Sequence, residues 1–85
     1  MFNIEFSREA AKSMRSMPHN VSNTIRGKIE QLAADPFASN NNVKKLEGRP
    51  GFRLRVGDWR VIYEIYNDRL VILITAVSPR GGAYK

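Results

Sequence analysis

The segment that most restricts the fold is Phe52-Arg53-Leu54-Arg55-Val56-Gly57-Asp58-Trp59-Arg60-Val61. Its first five residues alternate strictly between apolar and basic, the period of a strand with one buried face. Gly57-Asp58 is a two-residue hairpin signal, so the chain doubles back and the residues after the turn pair with those before it. With Gly57 and Asp58 as the loop, Val56 faces Trp59, Arg55 faces Arg60, Leu54 faces Val61 and Phe52 faces Tyr63. A slip of one residue would turn the arginines into the core, so this pairing is firmly specified.

The same reasoning extends the sheet in both directions. Trp59 to Tyr66 reads as the second strand, Asn67-Asp68 as another two-residue turn, and Leu70 to Val77 as the last strand. That register sets Tyr63 opposite Ile72, Val61 opposite Ile74 and Arg60 opposite Thr75. Phe52, Leu54, Val61, Tyr63, Ile65, Leu70, Ile72 and Ile74 then form the core face. Arg53, Arg55, Arg60, Glu64 and Thr75 share the other face with Ile62, Val71, Leu73 and Val77. Those apolar neighbours suit a partner surface, near Ile62 and Leu73, better than bare solvent. Upstream, Val43–Leu46 reads as a short strand before a turn through Gly48-Arg49-Pro50-Gly51.

The N-terminal half has a different period. Phe2, Ile4 and Phe6 alternate as a half-buried strand. Ser7 is a plausible N-cap with Glu9 in the first turn. Ala10, Met14 and Met17 then keep helical spacing until Pro18 stops the helix. Asn20 is positioned to cap a second helix carrying Val21, Ile25, Ile29, Leu32 and Ala33, which Asp35-Pro36 ends. The short connection implies an antiparallel helix pair, and a polar loop spans Ala38 to Asn42. The expected fold is α+β, in the order β-α-α-β-β-β-β: a mostly antiparallel sheet with both helices packed on one face, as a single domain over residues 1–85.

Charge is distributed unevenly. Residues 1–42 carry five Lys/Arg against four Asp/Glu, whereas residues 43–85 carry nine against four, so nearly all of the net charge of +6 sits in the second half. A basic excess of this kind suits an anionic partner such as nucleic acid. With no Cys and a single His, disulfides and thiolate chemistry are excluded and a zinc site is disfavoured; no metal or cofactor is expected. No apolar run approaches a membrane span and the N-terminus lacks a signal-peptide pattern, so a cytoplasmic protein without a membrane partner is expected.

Arg55 directly opposite Arg60 is the feature with most chemical content. Like charges paired across strands are unfavourable unless an anion neutralises them. The last strand runs toward the Gly57-Asp58 turn, which delivers Arg80 to the same end of the sheet, with Tyr84 four residues on. Gly81-Gly82 permits a bend back over the sheet. Arg53, Arg55, Arg60, Arg80 and Tyr84 are therefore expected to converge. Arginine forks onto phosphate oxygens, and a tyrosine ring stacks on a base. Arg8, Lys12 and Arg15 form a second basic stripe along the first helix, either an RNA contact or a solvated face. Lys44 and Lys45 are candidate RNA contacts beside the sheet. His19, Trp59 and the methionines read as structural.

Lys45-Leu46-Glu47-Gly48, then Phe52 to Glu64, then Val77-Ser78-Pro79-Arg80 and Tyr84, together resemble the RelE/ParE toxin superfamily. The opening Ile4-Glu5-Phe6-Ser7 with two helices after it is also similar. The resemblance implies a toxin held inactive by a cognate antitoxin, with operator DNA reached only through that antitoxin. On the RelE side it implies a metal-independent endoribonuclease that cleaves mRNA in the ribosomal A site, the ribose 2′-OH attacking the adjacent phosphate. On the ParE side it implies inhibition of DNA gyrase without nuclease activity. Arg60 and Arg80 match the family's phosphate-binding arginines and Tyr84 its C-terminal tyrosine. Arg53 and Arg55 stand where well-known members carry lysines. Arginine stabilises developing charge but is a poor general base. The base is thus left among Tyr84, Glu64, Lys85 and a ribosomal group.

Overall fold

The computed structural model describes residues 1–79; Arg80 to Lys85 lie outside the described residues. Seven elements appear in the expected order: β1 (Asn3–Phe6), α1 (Arg8–Ser16), α2 (His19–Ala34), β2 (Val43–Lys45), β3 (Phe52–Val56), β4 (Trp59–Tyr66) and β5 (Val71–Pro79). The strands form one sheet in the order β1-β5-β4-β3-β2. Every pairing is antiparallel except β1 with β5, where Ile4 lies beside Ile72. That parallel pair spans the chain from its first strand to its last and requires a crossover, which includes the two helices.

Helix α1 forms as its sequence dictates. The Ser7 hydroxyl accepts from the Ala10 amide at 3.0 Å, and Glu9 and Arg15 complement the two ends of the helix dipole. Met17 leaves helical geometry ahead of Pro18, as a residue before proline must. Helix α2 begins two residues earlier than a cap at Asn20 allows. The Pro18 carbonyl accepts from both Val21 and Ser22, each at 3.0 Å, so Pro18 occupies the cap position and Asn20 lies in the first turn. Asp35, restricted by Pro36, ends the helix.

Ala10, Met14, Met17, Ile25, Ile29, Leu32 and Ala33 of the helices meet Leu54, Val56, Val61, Tyr63, Ile72, Ile74 and Val77 of the sheet in one core. Tyr63 is completely buried and stacks on Phe52 with ring centroids 5.5 Å apart. Its hydroxyl has no hydrogen-bond partner among the described residues. Burial pushes its pKa up to about 12.

The β3–β4 register is the expected one throughout, with Gly57 at φ +57 opening the loop. The β4–β5 register differs. Tyr66 pairs with Val71, Ile65 with Ile72 and Tyr63 with Ile74, so four residues, Asn67–Leu70, form the connection instead of two. A two-residue hairpin loop needs positive φ at one or both of its positions. Neither Asn67 nor Asp68 supplies it, and Leu70 does, at φ +53. The Leu70 carbonyl accepts from the Asn3 amide, which ties this turn to β1. Leu70 is consequently half exposed and leaves the core face assigned to it.

A second irregularity lies between Ile62 and Tyr63, which pair with Ala76 and Ile74 and leave Thr75 as an extra residue. The Thr75 hydroxyl donates to the Ile62 carbonyl at 3.2 Å, and its own carbonyl accepts from the Ser7 hydroxyl at 2.8 Å. This bulge reverses the alternation beyond it. Val77, expected on the outer face, is in the core, and Arg60 pairs with Ser78 instead of Thr75.

Candidate phosphate-binding cleft

Because Leu54, Val56 and Val61 point into the core, Arg53, Arg55 and Arg60 must emerge on the opposite face of the sheet. Two rows cross that face. In one, Lys44 pairs with Arg53, Arg53 with Ile62 and Ile62 with Ala76. In the other, Arg55 pairs with Arg60 and Arg60 with Ser78, while the Arg55 amide donates to the Asn42 carbonyl at 2.9 Å. Asn41, Asn42, Lys44, Arg53, Arg55 and Arg60 line a single cleft of about 250 Å³. Arg55 is exposed, and Arg53 and Arg60 are partly buried. Four cations around one small hollow, two of them directly opposed across strands, make a site suited to a phosphodiester.

Three of the five residues expected to converge are therefore together. Arg80 and Tyr84 lie outside the described residues. The described chain ends with Pro79 beside Trp59, next to the Gly57-Asp58 turn and at the Arg55–Arg60 end of the cleft. Among the residues read as RNA contacts, Lys44 lines the cleft. Lys45 lines an adjoining hollow with Glu47 that shares Lys44 and Arg53. Arg8, Lys12 and Arg15 are exposed on α1, which packs against β5 and β1 on the helical side of the sheet. They are not brought to the arginines.

Glu64, one of the candidate bases, is engaged within its own strand. Its carboxylate accepts from the Tyr66 hydroxyl at 2.5 Å. This bond, with the negative charge behind it, raises the Tyr66 pKa, and the Arg69 guanidinium lies 4.6 Å from the centre of the Tyr66 ring. Ile62, expected as an apolar residue open to a partner, is only 6% exposed. Asn41 and Asn42 are cleft residues that the sequence reading does not pick out. Their one signal is the run of three asparagines immediately before β2.

A small α+β domain with two helices on one face of its sheet and a cluster of arginines on the other defines a class of basic proteins whose outer sheet face has the chemistry to suit an anion. Residues 4–84 match the family described as the ParE toxin of type II toxin–antitoxin systems, parDE. A Methanocaldococcus jannaschii protein named toxin RelE1 is 31% identical over 99% of this chain and 96% of its own length. The mRNA interferase toxin RelE of Escherichia coli is 20% identical over 91% of this chain and 81% of its own. Among solved structures, the toxin of the archaeal RelE–RelB complex from Pyrococcus horikoshii superposes with a TM-score of 0.81 at 29% identity, covering 96% of this chain and 98% of that one. The chain belongs to the RelE/ParE superfamily and is a type II toxin–antitoxin toxin of the RelE type.

Proposed function

We propose that this toxin is a ribosome-dependent, metal-independent endoribonuclease that cleaves mRNA in the A site. The observation that carries the proposal is the cleft in which Arg53, Arg55, Arg60 and Lys44 converge. The 2′-OH loses its proton, its oxygen forms a bond to the adjacent phosphorus, and the bond from phosphorus to the 5′-oxygen breaks. The leaving oxygen takes up a proton, so the products are a cyclic phosphate and a free 5′-OH. The arginines hold the phosphate and stabilise the charge that builds on it. They do not take the proton, because guanidinium stays charged at any working pH. Glu64 is occupied by Tyr66, which weighs against it as the base. Tyr84 is the preferred general base, followed by Lys85 and a ribosomal group, and Arg80 is a further phosphate ligand. A cognate antitoxin is the expected inhibitor, as RelB accompanies RelE in the Pyrococcus horikoshii structure.

The family description favours one other reading, inhibition of DNA gyrase in the manner its ParE name implies. Cut sites mapped by primer extension in a reconstituted translation reaction, beside a gyrase supercoiling assay, separate the two. Ribosome-dependent cuts that fall by about 100-fold or more in Arg55→Ala, Arg60→Ala and Tyr84→Phe, with melting temperatures retained, are the expected result. Inhibited gyrase with no cuts would overturn it.

A further inference from the structure

The cleft's lining contains two side chains that the phosphate chemistry does not use. We infer that the carboxamides of Asn41 and Asn42 read the base next to the gripped phosphate and favour adenine; this rests on the RNA-cleaving reading above. The loop that carries them is fixed. The Asn40 carboxamide oxygen accepts from the Asn42 amide at 2.8 Å, the Asn40 carbonyl accepts from Val43 at 3.1 Å, and the Asn42 carbonyl accepts from the Arg55 amide. Asn40 is thereby spent on holding the turn. Asn42 is locked beside Arg55, while neither its own carboxamide nor that of Asn41 is hydrogen-bonded among the described residues.

The donor and acceptor inventory gives the preference its direction. Lys44, Arg53, Arg55 and Arg60 are donors only. They satisfy phosphate oxygens and base carbonyls, but no amino group. Among the described side chains that line the cleft, the two asparagine oxygens are the sole acceptors. A carboxamide holds an acceptor and a donor side by side, the arrangement that matches the N6 amino group and N7 of adenine. Uracil presents mainly carbonyls on its edges, and the cations already serve those without distinguishing one from another.

Two measurements test this. In the first, mRNAs differing at one codon, with each nucleotide in turn A, C, G or U, are cut in the reconstituted reaction by the wild type, Asn41→Ala, Asn42→Ala and the double variant. In the second, fluorescence anisotropy compares binding of single-stranded A6 and U6 RNA by the same proteins and by Asn42→Asp, which keeps the shape but removes the donor. The wild type should favour adenine at one position, and the double variant should lose about tenfold of that preference, more than it loses in total cutting or binding. A wild type with no base preference, or a preference that survives in the double variant, overturns the inference while leaving the nuclease reading intact. A wild type that cuts nothing overturns the nuclease reading, and the A6-to-U6 ratio then decides the inference by itself.

Discussion

Replacing Tyr63 by Phe should make this protein more stable. Tyr63 is fully buried and its hydroxyl has no partner among the described residues. A buried donor left unpaired costs about 1–3 kcal/mol relative to the same group in water. Phe keeps the ring and its stack on Phe52. The void left by one oxygen, at about 24 cal/mol per Å³, costs only a few tenths of a kcal/mol. The net gain is about 1–2 kcal/mol, which raises the melting temperature of a domain this size by about 5–10 °C. The urea midpoint should rise with an unchanged slope. Alkaline pH supplies an independent check. The phenol ionises near 10.0 when unfolded and at about 12 when folded. Its contribution is fully present below pH 10 and is lost as pH rises from 10 to 12, because only the unfolded chain releases the proton in that window. The loss is on the order of 2–3 kcal/mol. Thermal and urea melts monitored by circular dichroism at several pH values measure both effects, and the Phe variant should lack this part of the alkaline slope. A Phe variant that melts lower than wild type would mean that the hydroxyl is satisfied, and this account of the core would be wrong.

Two further substitutions probe the backbone that carries the cleft. Gly51→Ala should destabilise by at least about 1–3 kcal/mol, because Gly51 has φ +114 and a Cβ there would lie 2.9 Å from the Tyr63 carbonyl oxygen, a backbone atom that cannot swing away; a melting temperature within a degree of wild type would refute it. Ser7→Ala should cost about 1–2 kcal/mol by removing the cap on α1, and should also speed hydrogen exchange at the Ala10 amide, its cap partner. Unchanged exchange there would show that the cap is not holding the helix end.

The parts of the fold legible in the sequence are those with a local cause. Gly57 supplies the positive φ that its hairpin needs, so the β3–β4 pairing and the placement of Arg53, Arg55 and Arg60 arise from residues within ten positions of one another. The Asn67-Asp68 signal misleads because the positive φ falls on Leu70, a residue type that rarely adopts it. What fixes that choice is the Asn3 amide, a partner distant in the chain. Asn20 has the chemistry of a cap, but Pro18 already offers its carbonyl to two amides. Asn41 and Asn42 carry no periodic signal at all, since a loop between a helix and a strand has no face to count along. Their place in the cleft depends on the turn that Asn40 holds and on one backbone bond to Arg55.

The bulge at Thr75 shows how such a distant contact reaches the candidate site. Uninterrupted alternation from Ile74 would place Val77 on the arginine face. The extra residue sends Val77 into the core, where it is 3% exposed, and leaves Ala76 beside Ile62 and Ser78 beside Arg60. Small side chains therefore flank the cations on the β5 side, where a valine would have crowded and dehydrated them. The bulge is held by two hydroxyls, one of them the Ser7 side chain that caps α1. The Ser7 hydroxyl thus links the start of the first helix to the bulge that sets the parity of the last strand. Ser7→Ala should accordingly disturb the arginine cleft as well as the helix: if Thr75 loses its donor and the bulge relaxes, RNA binding should weaken beyond what the fall in stability explains. Because Ser7 lies on the opposite side of the sheet from the cleft, direct contact with RNA could not account for that loss. Binding unchanged at a temperature where the variant is fully folded would show that the bulge is held without Ser7.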